Sequence, residues 1–105
     1  MQKRTKAVAI PPKVRQEVEE RDNHQCIFCK SPYCRGEAHY INRSQGGLGI
    51  AKNLVTVCSE CHRQMDNGKD IERYRKIARE YLMSKYLDWK EEDLIFNKWK
   101  GFKYD

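Results

Sequence analysis

Apolar residues fall at helical spacing near both ends of the chain and in short strand-like runs between them. Val14 and Val18 recur four apart just after Pro11-Pro12, with Arg15, Gln16, Glu17, Glu19 and Glu20 on the other faces. Proline suits a first helical turn, so this segment predicts a short amphipathic helix ending near Asp22-Asn23. Residues 37–42 read as a short strand, and the β-branched run from Leu54 to Val57 as a second. Ser59 is placed to cap a helix running through His62 to about Asp66, with Asn67-Gly68 as its stop. A longer helix is predicted over 70–86, where Ile71, Tyr74, Ile77/Ala78, Tyr81/Leu82 and Lys85/Tyr86 recur at helical spacing. Its opposite face carries Glu72, Arg73, Lys76, Arg79 and Glu80. Residues 88–96 fit one more short helix, with Trp89, Leu94, Ile95 and Phe96 packing back. Residues 1–10, with Lys3, Arg4 and Lys6, read as a loose basic arm. Lys98, Lys100 and Lys103 among Trp99, Phe102 and Tyr104 form a basic-aromatic tail suited to docking on the body or to stacking on nucleic acid.

Length and charge narrow the class. The chain has 105 residues, 39% hydrophobic and 34% charged, so it is one domain with a modest core for which a metal staple is plausible. Its net charge of +6 is spread along the sequence and favours a polyanionic partner. No apolar run is long enough for a signal peptide or a membrane span, so a reducing, cytoplasmic location is expected. In that setting paired cysteines read as metal ligands rather than disulfides.

The chemistry concentrates between residues 26 and 66. Cys26-x2-Cys29 and Cys58-x2-Cys61 can supply four thiolates to a tetrahedral zinc, a closed and therefore structural site. Such a site contributes on the order of 10 kcal/mol to folding, which a small core lacks. Cys34 is left over, as a buried thiol or a competing ligand. His24 reads as a surface residue or one behind the ligands. Between and beyond the cysteine pairs lie His39 on a strand, Asn53 opening the next strand, and His62 with Asp66 one turn later on a helix. Glycines 46, 47 and 49 permit close backbone approach to a ligand.

This order of motifs resembles the HNH endonuclease family, whose fold is the ββα-metal finger. It runs CxxC, then His39 followed by Arg43-Ser44 and Gly46-Gly47, then Asn53-Leu54-Val55, then Cys58-x2-Cys61-His62. The motif-bearing match covers about residues 26–67, with a looser likeness to small phage or prophage proteins across the remainder. The resemblance implies an α+β fold: an N-terminal helix, a zinc knuckle, a ββα-metal core and a helical C-terminal extension. Three segments follow: an arm over 1–10, the zinc and ββα-metal domain over 11–68, and the extension over 69–105 packed on it.

The resemblance also implies DNA phosphodiester hydrolysis, by nicking or double-strand cleavage, giving 5′-phosphate and 3′-hydroxyl ends. His39 would be the general base, and Asn53 would fix the loop and orient the His39 ring by a hydrogen bond. His62 would bind a catalytic divalent metal (Mg2+, Mn2+, Ni2+ or Zn2+). Many members place Asp or His before the general base as a second ligand, where this chain has Ala38. His62 with Asp66 is the preferred ligand pair, with Glu37 as a third. Arg43 is spaced to grip the phosphate. Tyr40 alternates to the opposite strand face and reads as core; Asn42 is a less well spaced substitute for Asn53. Two other readings stand beside the nuclease: a non-catalytic zinc module that binds nucleic acid, and an accessory factor acting with a phage terminase or packaging machine.

Overall fold

A computed structural model describes residues 3–96. Its elements run α1 (Lys3–Val8), α2 (Pro12–Arg21), β1 (Cys34–His39), β2 (Leu54–Cys58), α3 (Ser59–Asn67) and α4 (Ile71–Lys85). Single 3-10 turns lie at Arg43–Gln45, Ala51–Asn53 and Glu91–Leu94. The fold is α+β, with helices around a two-stranded antiparallel sheet.

The sheet pairs Gly36 with Val57, Glu37 with Thr56, Ala38 with Val55 and His39 with Leu54. Alternate residues point to opposite faces, so Ala38 and Val55 share one face while Glu37 and His39 share the other. The first face meets the main core, where Tyr40, Val57, Met65, Ala78, Leu82 and Leu94 are buried. The second is covered by α2, which brings Arg15 onto Glu37. Within α2, Val18 is fully buried and Val14 only partly so.

A buried clamp at the end of α2 joins the elements. Asp22 accepts from Arg21 (Nε, 2.7 Å), from the Tyr81 hydroxyl (2.5 Å) and from the Thr56 amide (2.9 Å). Arg21 also donates to the carbonyls of Ala51 and Leu54. Burial opposes the Asp22 charge, but these donors win and hold its carboxyl below the usual range. The clamp fixes the chain on both sides of Asn53.

Several elements differ from the sequence expectation. The first strand begins at Cys34 and ends at His39, whereas 37–42 was expected; the Tyr40 amide still donates to the Asn53 carbonyl, but Arg75 takes up the carbonyls of His39 and Tyr40. Residues 3–8 are helical rather than a loose arm, and Val8 is buried. Residues 88–96 hold a single 3-10 turn, not a helix, because Ile95 bridges to Gly47 and Phe96 donates to the Gly46 carbonyl. The segment does pack back: Leu94 is buried, and Trp89 Nε1 donates to the Lys52 carbonyl. On α4 only Ala78 and Leu82 are buried, while Ile71 and Ile77 are exposed. The basic-aromatic tail lies outside the described residues.

Candidate functional site

The four paired cysteines come together. Their Sγ atoms all lie within 4.8 Å of one another, with Cys29 and Cys58 at 3.6 Å. Sulfurs about 2.3 Å from a tetrahedral zinc stand roughly 3.8 Å apart, so the set fits a metal such as zinc. The local chain explains the gathering. Cys26 opens a knuckle whose turn closes through Lys30 N–H to the Cys26 carbonyl (2.9 Å), with Lys30 in the left-handed region (φ 67°). Cys58 ends β2 and caps α3, its sulfur accepting from the Cys61 amide. This cap was expected at Ser59. Burial resists ionisation of Cys26, yet backbone N–H groups of Cys29, Cys58 and Phe28 bring its thiol down to about 7.

Cys34 is outside this group. It sits across the ladder from Cys58, and its thiol donates to the Ser31 carbonyl (3.2 Å). Burial and the neighbouring thiolates push it up to about 11. His24 is exposed in the turn after α2.

A cavity of about 580 Å³ opens beside the cysteines, lined by Ile10, Glu37, His39, Arg43, His62 and Asp66 among others. Sequence reasoning named five of these six; Ile10 comes from the N-terminal segment. His39 is buried at the end of β1, and its Nε2 lies 2.9 Å from the Val8 carbonyl. A carbonyl only accepts, so Nε2 carries the proton and Nδ1 keeps its lone pair. Burial is the main cause that holds His39 below its ordinary pKa; the Arg43 and His62 charges add to this, while the Val8 bond and Asp66 oppose it.

Asn53 is fully buried, and its side-chain hydrogen bonds go to backbone groups rather than to the His39 ring. Its Oδ1 accepts from the Ile41 amide (2.8 Å), and its Nδ2 donates to the carbonyls of Leu48 (2.9 Å) and Ile41 (3.2 Å). It therefore ties the two ends of the glycine-rich loop, while the ring is oriented by Val8. The glycines serve the chain itself. A Cβ on Gly47 would meet the Ile41 carbonyl oxygen at 1.7 Å, and one on Gly49 the Ala9 oxygen at 2.0 Å.

On α3, His62 Nε2 lies 3.2 Å from Asp66 Oδ2, and the other Asp66 oxygen accepts from Arg75 at 3.0 Å. Two donor atoms so placed fit neighbouring positions around one cation. Ala38 points into the core and offers no donor. Glu37 lines the same cavity with a fully buried side chain bonded to Arg15 Nε (2.9 Å), while its Oε2 has no hydrogen-bond partner. Burial and the nearby Glu19 raise its carboxyl to about 7, against the pull of Arg15. It is not drawn in with His62 and Asp66. Among the described residues, only the four cysteines gather three or more metal-ligating side chains at one point.

Sequence reading missed Val8, Arg15 and Arg75. The Val8 contribution is a backbone carbonyl and leaves no side-chain signal. Arg75 had one: it stands three residues before Ala78 and seven before Leu82, a cation on the buried face of α4.

No family model matches the chain. A curated protein named anaredoxin, from Nostoc sp., is 29% identical over 66 residues, covering 59% of this chain and 87% of that protein. Among solved structures, the type IV phosphorothioation-dependent restriction endonuclease ScoMcrA superposes with a TM-score of 0.60 at 19% identity. The match covers 75% of this chain but only 19% of that enzyme, so the likeness is one of fold over part of a larger protein. No helix among the described residues is long and apolar enough to cross a membrane.

Proposed function

We propose that this chain is an HNH-type, metal-dependent endonuclease that hydrolyses DNA phosphodiester bonds. The observation that carries this reading is one cavity lined by His39, Arg43, His62 and Asp66, built against a four-cysteine cluster. The fold shared with part of a restriction endonuclease supports it. The four cysteines hold a structural zinc. His62 and Asp66 hold a divalent cation (Mg2+, Mn2+, Ni2+ or Zn2+), with Glu37 on the cavity wall as the further carboxylate.

His39 enters the reaction through Nδ1, because Nε2 is committed to Val8. Its lowered pKa keeps Nδ1 unprotonated near neutrality, as a general base requires. Nδ1 accepts a proton from water as the water oxygen bonds to phosphorus. The bond to the 3′ oxygen breaks, leaving a 5′-phosphate, and the 3′ oxygen takes a proton from solvent to become hydroxyl. Arg43 grips non-bridging phosphate oxygens with its planar donor fork. When bound, the divalent cation supplies positive charge where negative charge develops on the phosphate and the leaving oxygen. Asn53 acts on none of these atoms; it holds the loop that carries Arg43.

Plasmid cleavage tests this at low salt over Mg2+, Mn2+, Ni2+ and Zn2+, wild type beside His39→Ala. Nicking or linearisation by the wild type alone is expected. A folded, metal-replete wild type that leaves the plasmid intact in every metal sinks the reading.

One observation favours a second reading. Ala38 lies in the core and only two catalytic-metal donors are adjacent, which suits a zinc module that binds nucleic acid without cutting it. That reading gains if DNA is shifted, uncut, equally by wild type and His39→Ala. Four sulfurs suit iron as well as zinc, so iron is the alternative occupant of the thiolates. The visible spectrum with metal analysis decides: thiolate-bound iron is coloured, whereas a colourless protein with one bound zinc carries zinc.

A further inference from the structure

We propose that Arg75 is a positioning residue that locks the strand end carrying His39 to the helix carrying Asp66. The proposal rests on the nuclease reading above and deepens it. The β ladder ends at the His39–Leu54 pair, so the carbonyls of His39 and Tyr40 have no strand partner. Arg75 Nη1 donates to both, at 3.2 Å to His39 and in a shorter contact to Tyr40. Its Nη2 donates to Asn42 Oδ1 (2.7 Å) and to Asp66 Oδ1 (3.0 Å). One guanidinium thus spans β1, the loop after it, and α3.

Arg75 works from behind the site. It does not line the cavity that holds His39 and His62; it lines a neighbouring one of about 590 Å³. Asn42 and Asp66 line both, forming the wall between them. The Arg75 side chain is only 19% exposed, and α4 fixes its stem. Its bond to Oδ1 sets the Asp66 carboxylate so that Oδ2 faces His62 Nε2. A hydrogen-bonded partner behind a ligating carboxylate typically changes metal affinity or activity ten- to a hundredfold. Lysine cannot replace it, since an ammonium offers three donors from one point where the guanidinium offers a rigid fork.

The test compares full-length, zinc-loaded wild type, Arg75→Ala and Arg75→Lys. It reads Mn2+ affinity by calorimetry without DNA, kcat and KM for plasmid cleavage, and zinc content. Arg75→Lys keeps the stem and charge, so it serves as the folded variant should alanine loosen the carbonyls. Both variants are expected to retain zinc, to bind Mn2+ about ten- to a hundredfold more weakly, and to lose kcat to a similar degree with KM within about twofold. The proposal is overturned if both variants match wild type in Mn2+ affinity and kcat, or if lysine restores both. It is also overturned if only KM rises, which marks a DNA contact instead. A wild type that neither binds Mn2+ nor cuts takes down the nuclease reading, and this proposal with it.

Discussion

His39 Nε2 lies 2.9 Å from the carbonyl oxygen of Val8, across 31 residues of sequence. The N-terminal segment thereby selects which imidazole nitrogen is free and helps to bury the ring. It is held in turn by Gly49, whose amide donates to the Ala7 carbonyl and whose missing side chain leaves room for Ala9.

Gly49→Ala is therefore expected to displace this segment without opening the core. His39 would lose both the Val8 bond, which raises its pKa, and the burial that lowers it; burial is the larger effect, so the net change is upward. The acid limb of the pH–rate profile should move up toward the ordinary histidine value of about 6.5. The maximal rate should fall by about a hundredfold from ring misplacement. An unchanged limb and rate would show that Val8 does not position the base.

The two cysteine pairs and the residues between them were legible because metal ligation and the helix of His62 impose fixed local spacing. The strands were legible less well. β1 starts early, at Cys34, and beyond His39 the Tyr40 amide still donates to the Asn53 carbonyl while Arg75 takes the His39 and Tyr40 carbonyls. Asn53 does not make the hydrogen bond expected to the His39 ring, because its partners are backbone atoms 12 and 5 residues away. The helical spacing of α4 marks more apolar positions than the core takes up. Ile71 and Ile77 fit helical spacing yet face solvent, since the small sheet leaves α4 little apolar surface to cover.

Asn53→Ala should damage the fold as well as the activity. It removes a fully buried side chain and leaves the part-buried Ile41 amide and the carbonyls of Ile41 and Leu48 without that partner. One unsatisfied buried group costs about 1–3 kcal/mol, so a loss of about 2–4 kcal/mol is expected in urea unfolding. His39→Ala, by contrast, should keep stability within about 1–2 kcal/mol while cleavage disappears. Equal stability of Asn53→Ala and wild type would contradict the pinning role.

Removing the cysteine-bound metal should unfold the domain. Cys26, Cys29, Cys58 and Cys61 join the knuckle to the end of β2 and the start of α3, and structural zinc contributes about 10 kcal/mol or more in comparable small sites. A strong chelator, or Cys58→Ser, is expected to abolish the cooperative thermal transition followed by far-ultraviolet circular dichroism. Cys34→Ser should leave the transition and one bound zinc intact, because its thiol is directed to Ser31. Loss of zinc from Cys34→Ser would put that residue among the ligands.

Glu37 carries the pH prediction. Its carboxyl is raised to about 7, mainly by burial, whereas an unfolded glutamate titrates near 4.5. The native state therefore binds a proton that the unfolded state lacks between these values. Stability falls as pH rises through that window, and above it the fold bears a buried charge. The single ion pair with the half-exposed Arg15 offsets this only in part. Glu37→Gln cannot ionise, so it should match wild type near pH 5 and be more stable by about 1–2 kcal/mol at pH 8. Melts of zinc-loaded protein without added divalent metal would show a higher Tm for the variant at pH 8 alone. Addition of Mn2+ then separates the roles: if Glu37 joins His62 and Asp66 at the cation, Mn2+ raises the Tm of wild type more than that of Glu37→Gln. The same stability difference at both pH values would mean that Glu37 does not titrate in this range.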